Sequence, residues 1–174
     1  NNDGIQEILI ADDNYGVYCL NGNSSGIADV IWHLDLYIPS IGSGSVYDEK
    51  GLVIMDDVNL DGINDIVIGT VWGSRSVFAV SGMDGSIIWH YDTDEYGDGG
   101  WVYEVDANFD YDNDGYRDVL TASGDDGSDH GPRRVQLFNG INGIKIWEHA
   151  FYESMTSVIS IDDVNGDNVP DVVC

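Results

Sequence analysis

The sequence predicts an all-β protein built from repeats. Three observations carry that expectation: short runs rich in Val, Ile, Tyr and Trp, glycines scattered between them, and an acidic segment that recurs at a nearly fixed interval. The runs are too short and too β-branched for helices, and glycine and Asx clusters bound them closely. The 22 glycines therefore read as tight turns between strands. A chain of 174 residues with 43% hydrophobic content has room for a core and is not disordered throughout.

The recurring segment sets the architecture. Copies beginning at Asn59, Asp112 and Asn165 lie 53 residues apart (112 − 59 and 165 − 112), and a further copy opens the chain at Asn1, 58 residues before the second (59 − 1). Within the best copy, Leu52 to Met55, Asp65 to Thr70, Ser76 to Val80 and Ser86 to Tyr91 read as four strands. A glycine-rich hairpin link at residues 81–85 joins the last two, and residues 21–26 and 139–143 occupy the same place in the neighbouring units. Each unit is thus a four-stranded antiparallel meander of about one small sheet. Strands such as Ile66-Val67-Ile68 are apolar on consecutive residues, so both faces of the sheet must be covered. Successive sheets stacked as blades around an axis, a β-propeller, meet that demand.

Every unit ends in a tryptophan strand, carrying Trp32, Trp89 and Trp147. Each is read as a structural plug between successive blades, its indole N–H seeking a partner. His33, His90 and His149 accompany them without metal-ligand spacing and are read as strand residues. The sequence parses into an incomplete blade over 1–44, blades over 45–94 and 99–152, and the start of another over 155–174. About three repeats are too few to close a ring, so the expectation is a part of a larger propeller, or a protomer that self-associates through its open blade edges.

Charge narrows the partners. Against 32 acidic side chains stand 6 basic ones, a net charge of −26, which repels nucleic acid and anionic lipid and attracts cations. No run approaches the length of a membrane span. Cys19 and Cys174 are too few for a disulfide framework and are expected to be free thiols.

The acids of the repeat are spaced for a metal. Asp57, Asn59, Asp61 and Asp65 stand at positions 1, 3, 5 and 9 of a loop with glycine at position 6, and the carbonyl of Ile63 at position 7 adds a backbone ligand. The next copy offers Asp110, Asp112, Asp114 and Asp118 with the Tyr116 carbonyl. The last offers Asp163, Asn165, Asp167 and Asp171 with the Val169 carbonyl, and has Asn168 in place of glycine, a residue that tolerates the left-handed region. The first retains Asn1, Asp3, Ile5 and Glu7. Calcium, which takes six to eight hard oxygen ligands, suits such loops, and two to four ions are expected. Position 12 is Ile68, Thr121 or Cys174 inside a strand, which excludes a helix-loop-helix site closed by a glutamate.

The Asp-x-Asn/Asp-x-Asp-Gly-x-x-Asp pattern followed by Ile-Val-Ile-Gly-Thr resembles the FG-GAP repeats of integrin α-subunit propellers and bacterial surface proteins. Residues 77–89 resemble the tryptophan-ended repeats of quinoprotein propellers, and together the two cover nearly the whole chain. The resemblance implies that each metal loop joins the innermost strand of a blade to the second. The function expected is non-catalytic and extracellular or cell-surface: adhesion or recognition of a protein or glycan, with variable loops over residues 92–100 and 124–134 meeting the partner. A fragment of a propeller enzyme, either a quinone-dependent dehydrogenase or a polysaccharide lyase, is the alternative, as is a structural spacer. The unrepeated polar cluster Asp129-His130-Gly131 beside Arg133 and Arg134 is the place a catalytic site would occupy.

Overall fold

The computed structural model describes residues 3–12, 16–39, 42–93, 100–125 and 131–174. It is all-β and antiparallel. Strands β1 (Ile8–Asp12), β2 (Gly16–Leu20) and β3 (Val30–Asp35) form the first sheet, in chain order. The second is a four-stranded meander of β6 (Leu52–Ile54), β7 (Ile66–Gly69), β9 (Ser76–Val80) and β10 (Ile87–Asp92). The third repeats it with β11 (Trp101–Asp106), β12 (Val119–Gly124), β13 (Arg134–Phe138) and β14 (Lys145–Ala150), and β15 (Ile159–Ile161) pairs with β16 (Asp171–Val173) after it.

These sheets stack face to face in the order of the chain. Along β7 and β9, alternate residues go to opposite neighbours: Ile66, Ile68, Phe78 and Val80 pack with Val17, Cys19 and Trp32 of the first sheet. Val67, Val77 and Ala79 pack with Val102, Val105 and Val119 of the third. On the far side of the third sheet, Leu120, Ala122, Val135 and Leu137 meet Val158. A strand sandwiched between two sheets has both faces covered, which is why β7 is buried throughout and reads as a continuous apolar run. This is the blade stacking of a β-propeller.

Ile54 departs from the expected run. It lies on the edge strand of its sheet, is 55% exposed, and helps to line a cavity of about 460 Å³ between the first two sheets, with Ile5, Leu9, Ile63 and Ile66. A further element lies outside the repeat pattern: β4 (Tyr37–Ile38), β5 (Gly42–Ser45) and β8 (Val71–Trp72) form a small side sheet. Polar ties also cross between sheets. The Arg117 guanidinium and backbone N–H both donate to Asp56, and the backbone N–H groups of Val158 and Ser160 donate to Glu104 and Asp106, each at 2.9 Å. Cys19 and Cys174 are free.

Candidate metal centre

Each acidic loop leaves one sheet strand and enters the next, so strand geometry fixes its two ends. Between them the chain folds back by hydrogen-bonding its own backbone to its carboxylates. The residue at position 5 accepts the N–H of position 7 in all four copies: Ile5 to Asp3 at 2.8 Å, and Ile63 to Asp61, Tyr116 to Asp114 and Val169 to Asp167, each at 2.9 Å. The residue at position 1 gathers the N–H groups of positions 4 to 6. Asp57 accepts from Asp61 and Gly62, Asp110 from Asn113, Asp114 and Gly115, and Asp163 from Gly166 and Asn168. Position 3 accepts from position 5, through Asn59, Asp112 and Asn165.

Two left-handed residues make the turn. Position 6 has φ of 94° at Gly62, 97° at Gly115 and 66° at Asn168. Position 4 is left-handed as well, at Leu60 (63°), Asn113 (62°) and Gly166 (88°). Sequence reasoning missed this second position because Leu60 carries no signal for it, although Asn113 and Gly166 do.

The residue at position 9 ties the loop to the fold. Asp65 is fully buried and accepts from Val58, Asn59 and Gly82; Asp118 is 1% exposed and accepts from Tyr111, Asp112 and Gly140. Gly82 and Gly140 belong to the hairpin link of the same sheet, and Glu7 makes the equivalent bond to Gly22. The carbonyl of each such glycine then takes the tryptophan of the preceding sheet: Trp32 Nε1 donates to Gly82 O at 2.9 Å and Trp89 Nε1 to Gly140 O at 2.8 Å. Trp89 also lies against Gly143, where a Cβ would come within 2.7 Å of the ring. Acidic loop, hairpin glycine and neighbouring indole are therefore one connected chain of hydrogen bonds. Trp147 is half-buried beside the cluster of Leu120 and Leu137.

Hairpin side chains also enter the loops. Ser81 Oγ donates to Asp61 at 2.8 Å, and the Asn139 amide donates to Asp112 at 2.8 Å and Asp114 at 2.6 Å. The signal for these was the polar residue that opens each hairpin link, Asn21, Ser81 or Asn139.

Among the described residues, Asp110, Asp112 and Asp118 form a group of three carboxylates whose oxygens lie within 4.8 Å of one another. Burial raises the Asp118 pKa to about 6, with the charge of Asp112 adding to the effect and three backbone N–H groups opposing it. Burial likewise pushes Asp65 up. Asp163 runs the other way, held down by the N–H groups of Gly166 and Asn168. The donor set fits a hard divalent cation: all its ligating atoms are carboxylate oxygens, and a carboxylate oxygen bonded to one N–H keeps a second lone pair. Asn1 lies outside the described residues, and so do Asp129 and His130 and most of the variable loops over 92–100 and 124–134. Arg133 pairs with Asp125 at 3.4 Å and Arg134 with Glu148 at 3.0 Å.

No protein-family model and no curated protein matches this chain. Solved structures do, among them BamB from Moraxella catarrhalis, at 11% identity and a TM-score of 0.26, covering 90% of this chain. The chain spans 64% of the length of that protein. Among the described residues no helix is long and apolar enough to cross a membrane.

Proposed function

We propose that this chain is a calcium-binding, non-catalytic part of an extracellular β-propeller, in which metal loops of the FG-GAP type stiffen tryptophan-ended blades that present a surface for recognising a protein or glycan. The observation that carries the reading is the convergence of Asp110, Asp112 and Asp118, with Asp118 buried and its carboxyl raised by burial and by a like charge. A divalent cation relieves that repulsion and returns the buried carboxylate to its charged form. Calcium rather than magnesium suits loops whose ligands are nearly all protein oxygens. The bonds from Asp118 through Gly140 to Trp89 would carry the gain in rigidity from the loop into the contact between blades. Two to four ions per chain are expected, the 110–118 loop binding first.

Thermal unfolding with millimolar calcium, with magnesium and with EDTA tests the reading. Calcium at about a hundred times its dissociation constant should add about 2.7 kcal/mol, a rise of several degrees in Tm, and magnesium much less. An unchanged midpoint across the three conditions would sink it.

A further inference from the structure

A strip of four aromatic rings runs across the join between the second and third sheets, outside the repeat machinery. Trp72 and Trp101 lie 4.5 Å apart between ring centroids, Trp101 and Tyr103 5.9 Å, and Tyr103 and Tyr47 5.1 Å. The two ends are open: Trp72 and Tyr47 are each 56% exposed. Contiguous exposed aromatic surface is costly in water and marks a contact site more often than scattered apolar residues do. Trp72 is also held at φ 63°, a conformation that costs a bulky residue about 1–2 kcal/mol and that core packing does not demand of so exposed a side chain. Its strand, β8, belongs to the side sheet, where it pairs with Gly44 of β5. That sheet therefore supplies one end of the strip.

The rim of the strip carries cations among its acids. Of the six cationic side chains in the chain, three stand here: Lys50 pairs with Glu104 at 3.2 Å, Arg75 donates to the Trp72 carbonyl at 3.1 Å, and Arg133 pairs with Asp125 at 3.4 Å. Tyr103 joins this rim by donating its hydroxyl to the Asp125 carbonyl at 2.9 Å. On a chain of net charge −26 the whole-protein field repels polyanions, and the three cations beside the strip weaken the attraction for a polycation there, which favours a neutral ligand. Among the described residues no hydrogen-bond partner takes the indole N–H of Trp72 or Trp101 or the hydroxyl of Tyr47. The ligand should therefore be amphipathic, with an apolar face for the rings and acceptors at its edge.

We propose that Trp72, Trp101, Tyr103 and Tyr47 form the contact surface for a neutral glycan, with the C–H faces of its pyranose rings packed on the aromatic strip and its hydroxyls meeting the indole N–H groups of Trp72 and Trp101 and the hydroxyl of Tyr47. This rests on the recognition half of the function proposed above and not on its metal half.

Affinity electrophoresis and tryptophan fluorescence titration of the full chain against soluble neutral polysaccharides (β-glucan, xylan, galactomannan), with hyaluronan and poly-lysine beside them, test it. At least one neutral polymer should bind, and Trp72→Gly, which suits the backbone there, and Tyr47→Ala should each weaken that binding about tenfold. Tyr152→Ala, which removes an aromatic residue that is 94% exposed elsewhere, should leave it unchanged. Failure of all neutral polymers to bind overturns the inference. So does equal binding by both strip variants, or ring-dependent binding of hyaluronan or poly-lysine in place of a neutral polymer. A calcium-dependent rise in Tm without any glycan binding overturns this inference alone; ring-dependent glycan binding with no calcium effect overturns only the metal reading.

Discussion

The loops at 110–118 and 163–171 share one motif and nearly one backbone course, yet their last acids sit in different surroundings. Asp118 is buried and reaches across to the N–H of Gly140 at 3.1 Å. Asp171 is half-buried and bonds within its own loop, to Val164 at 2.7 Å and to the Asn165 amide at 2.8 Å. The first arrangement gathers three carboxylates against the cost of a buried charge; the second spreads its acids into solvent. The motif places acids of the same type in both loops, and in the 110–118 loop the hairpin glycine Gly140 adds an N–H that holds the last of them in place.

The sharpest way to break this comparison is to neutralise the two last ligands. Asp118→Asn should abolish most of the calcium-linked stability, about 2–3 kcal/mol measured as the difference in urea unfolding with calcium and with EDTA. Asp171→Asn should cost less than about 1 kcal/mol in the same measurement. Equal losses would mean that the hairpin adds nothing to the site.

Glycine substitutions sharpen the same contrast without touching a ligand. A Cβ at Gly140 would lie 2.0 Å from the Arg117 carbonyl, so Gly140→Ala should destabilise by about 2–3 kcal/mol and shift the fluorescence of Trp89. At Gly166 a Cβ would meet nothing within 4 Å, and only its φ of 88° resists alanine, at about 1 kcal/mol.

The pH dependence of the two loops should have opposite sign. The folded-state pKa of Asp118, about 6, lies above its ordinary value of 3.8, so protonation favours the fold. Its contribution is full at the lower value and is lost as pH rises through the upper one. The Tm of the calcium-free protein should therefore fall by a few degrees between pH 5 and pH 7, and Asp118→Asn should flatten that fall. The Asp163 carboxyl is held below its ordinary value, so its contribution is present at neutral pH and lost as pH falls through that lowered pKa. Asp163→Asn should therefore soften acid unfolding and leave the fall between pH 5 and pH 7 intact. With calcium present, the fall with rising pH should shrink or reverse, because protons compete with the metal.

The smallest effect concerns position 4. Leu60 occupies at φ 63° the place that Gly166 fills at 88°, so Leu60→Gly should stabilise by about 0.5–1 kcal/mol in thermal melts. Gly166→Leu should do the reverse.

Much of the architecture was legible in the residues. Ser76–Val80 was read as it stands, Ile66–Gly69 to within a residue at each end, and the repeat of the meander followed from period and turn glycines. The side sheet of β4, β5 and β8 was not legible, because β4 and β8 are two residues long and β5, Gly-Ser-Gly-Ser, has no apolar pattern to detect. The aromatic strip was missed for a related reason: Tyr47, Trp72, Trp101 and Tyr103 have no shared spacing and meet only where two sheets join.

By itself the sequence determined the strands of the repeated sheets and which side chains can offer oxygen to a cation, since both follow from local pattern: short β-branched runs bounded by turn residues, and carboxylates on every second residue of a tight loop. Only the tertiary structure decided which atoms of the hairpin links close onto the loops, which carboxylate is deprived of water, and which aromatic rings share one surface. Those depend on contacts between residues far apart in the chain, and desolvation is a property of the packed neighbourhood that no single segment carries.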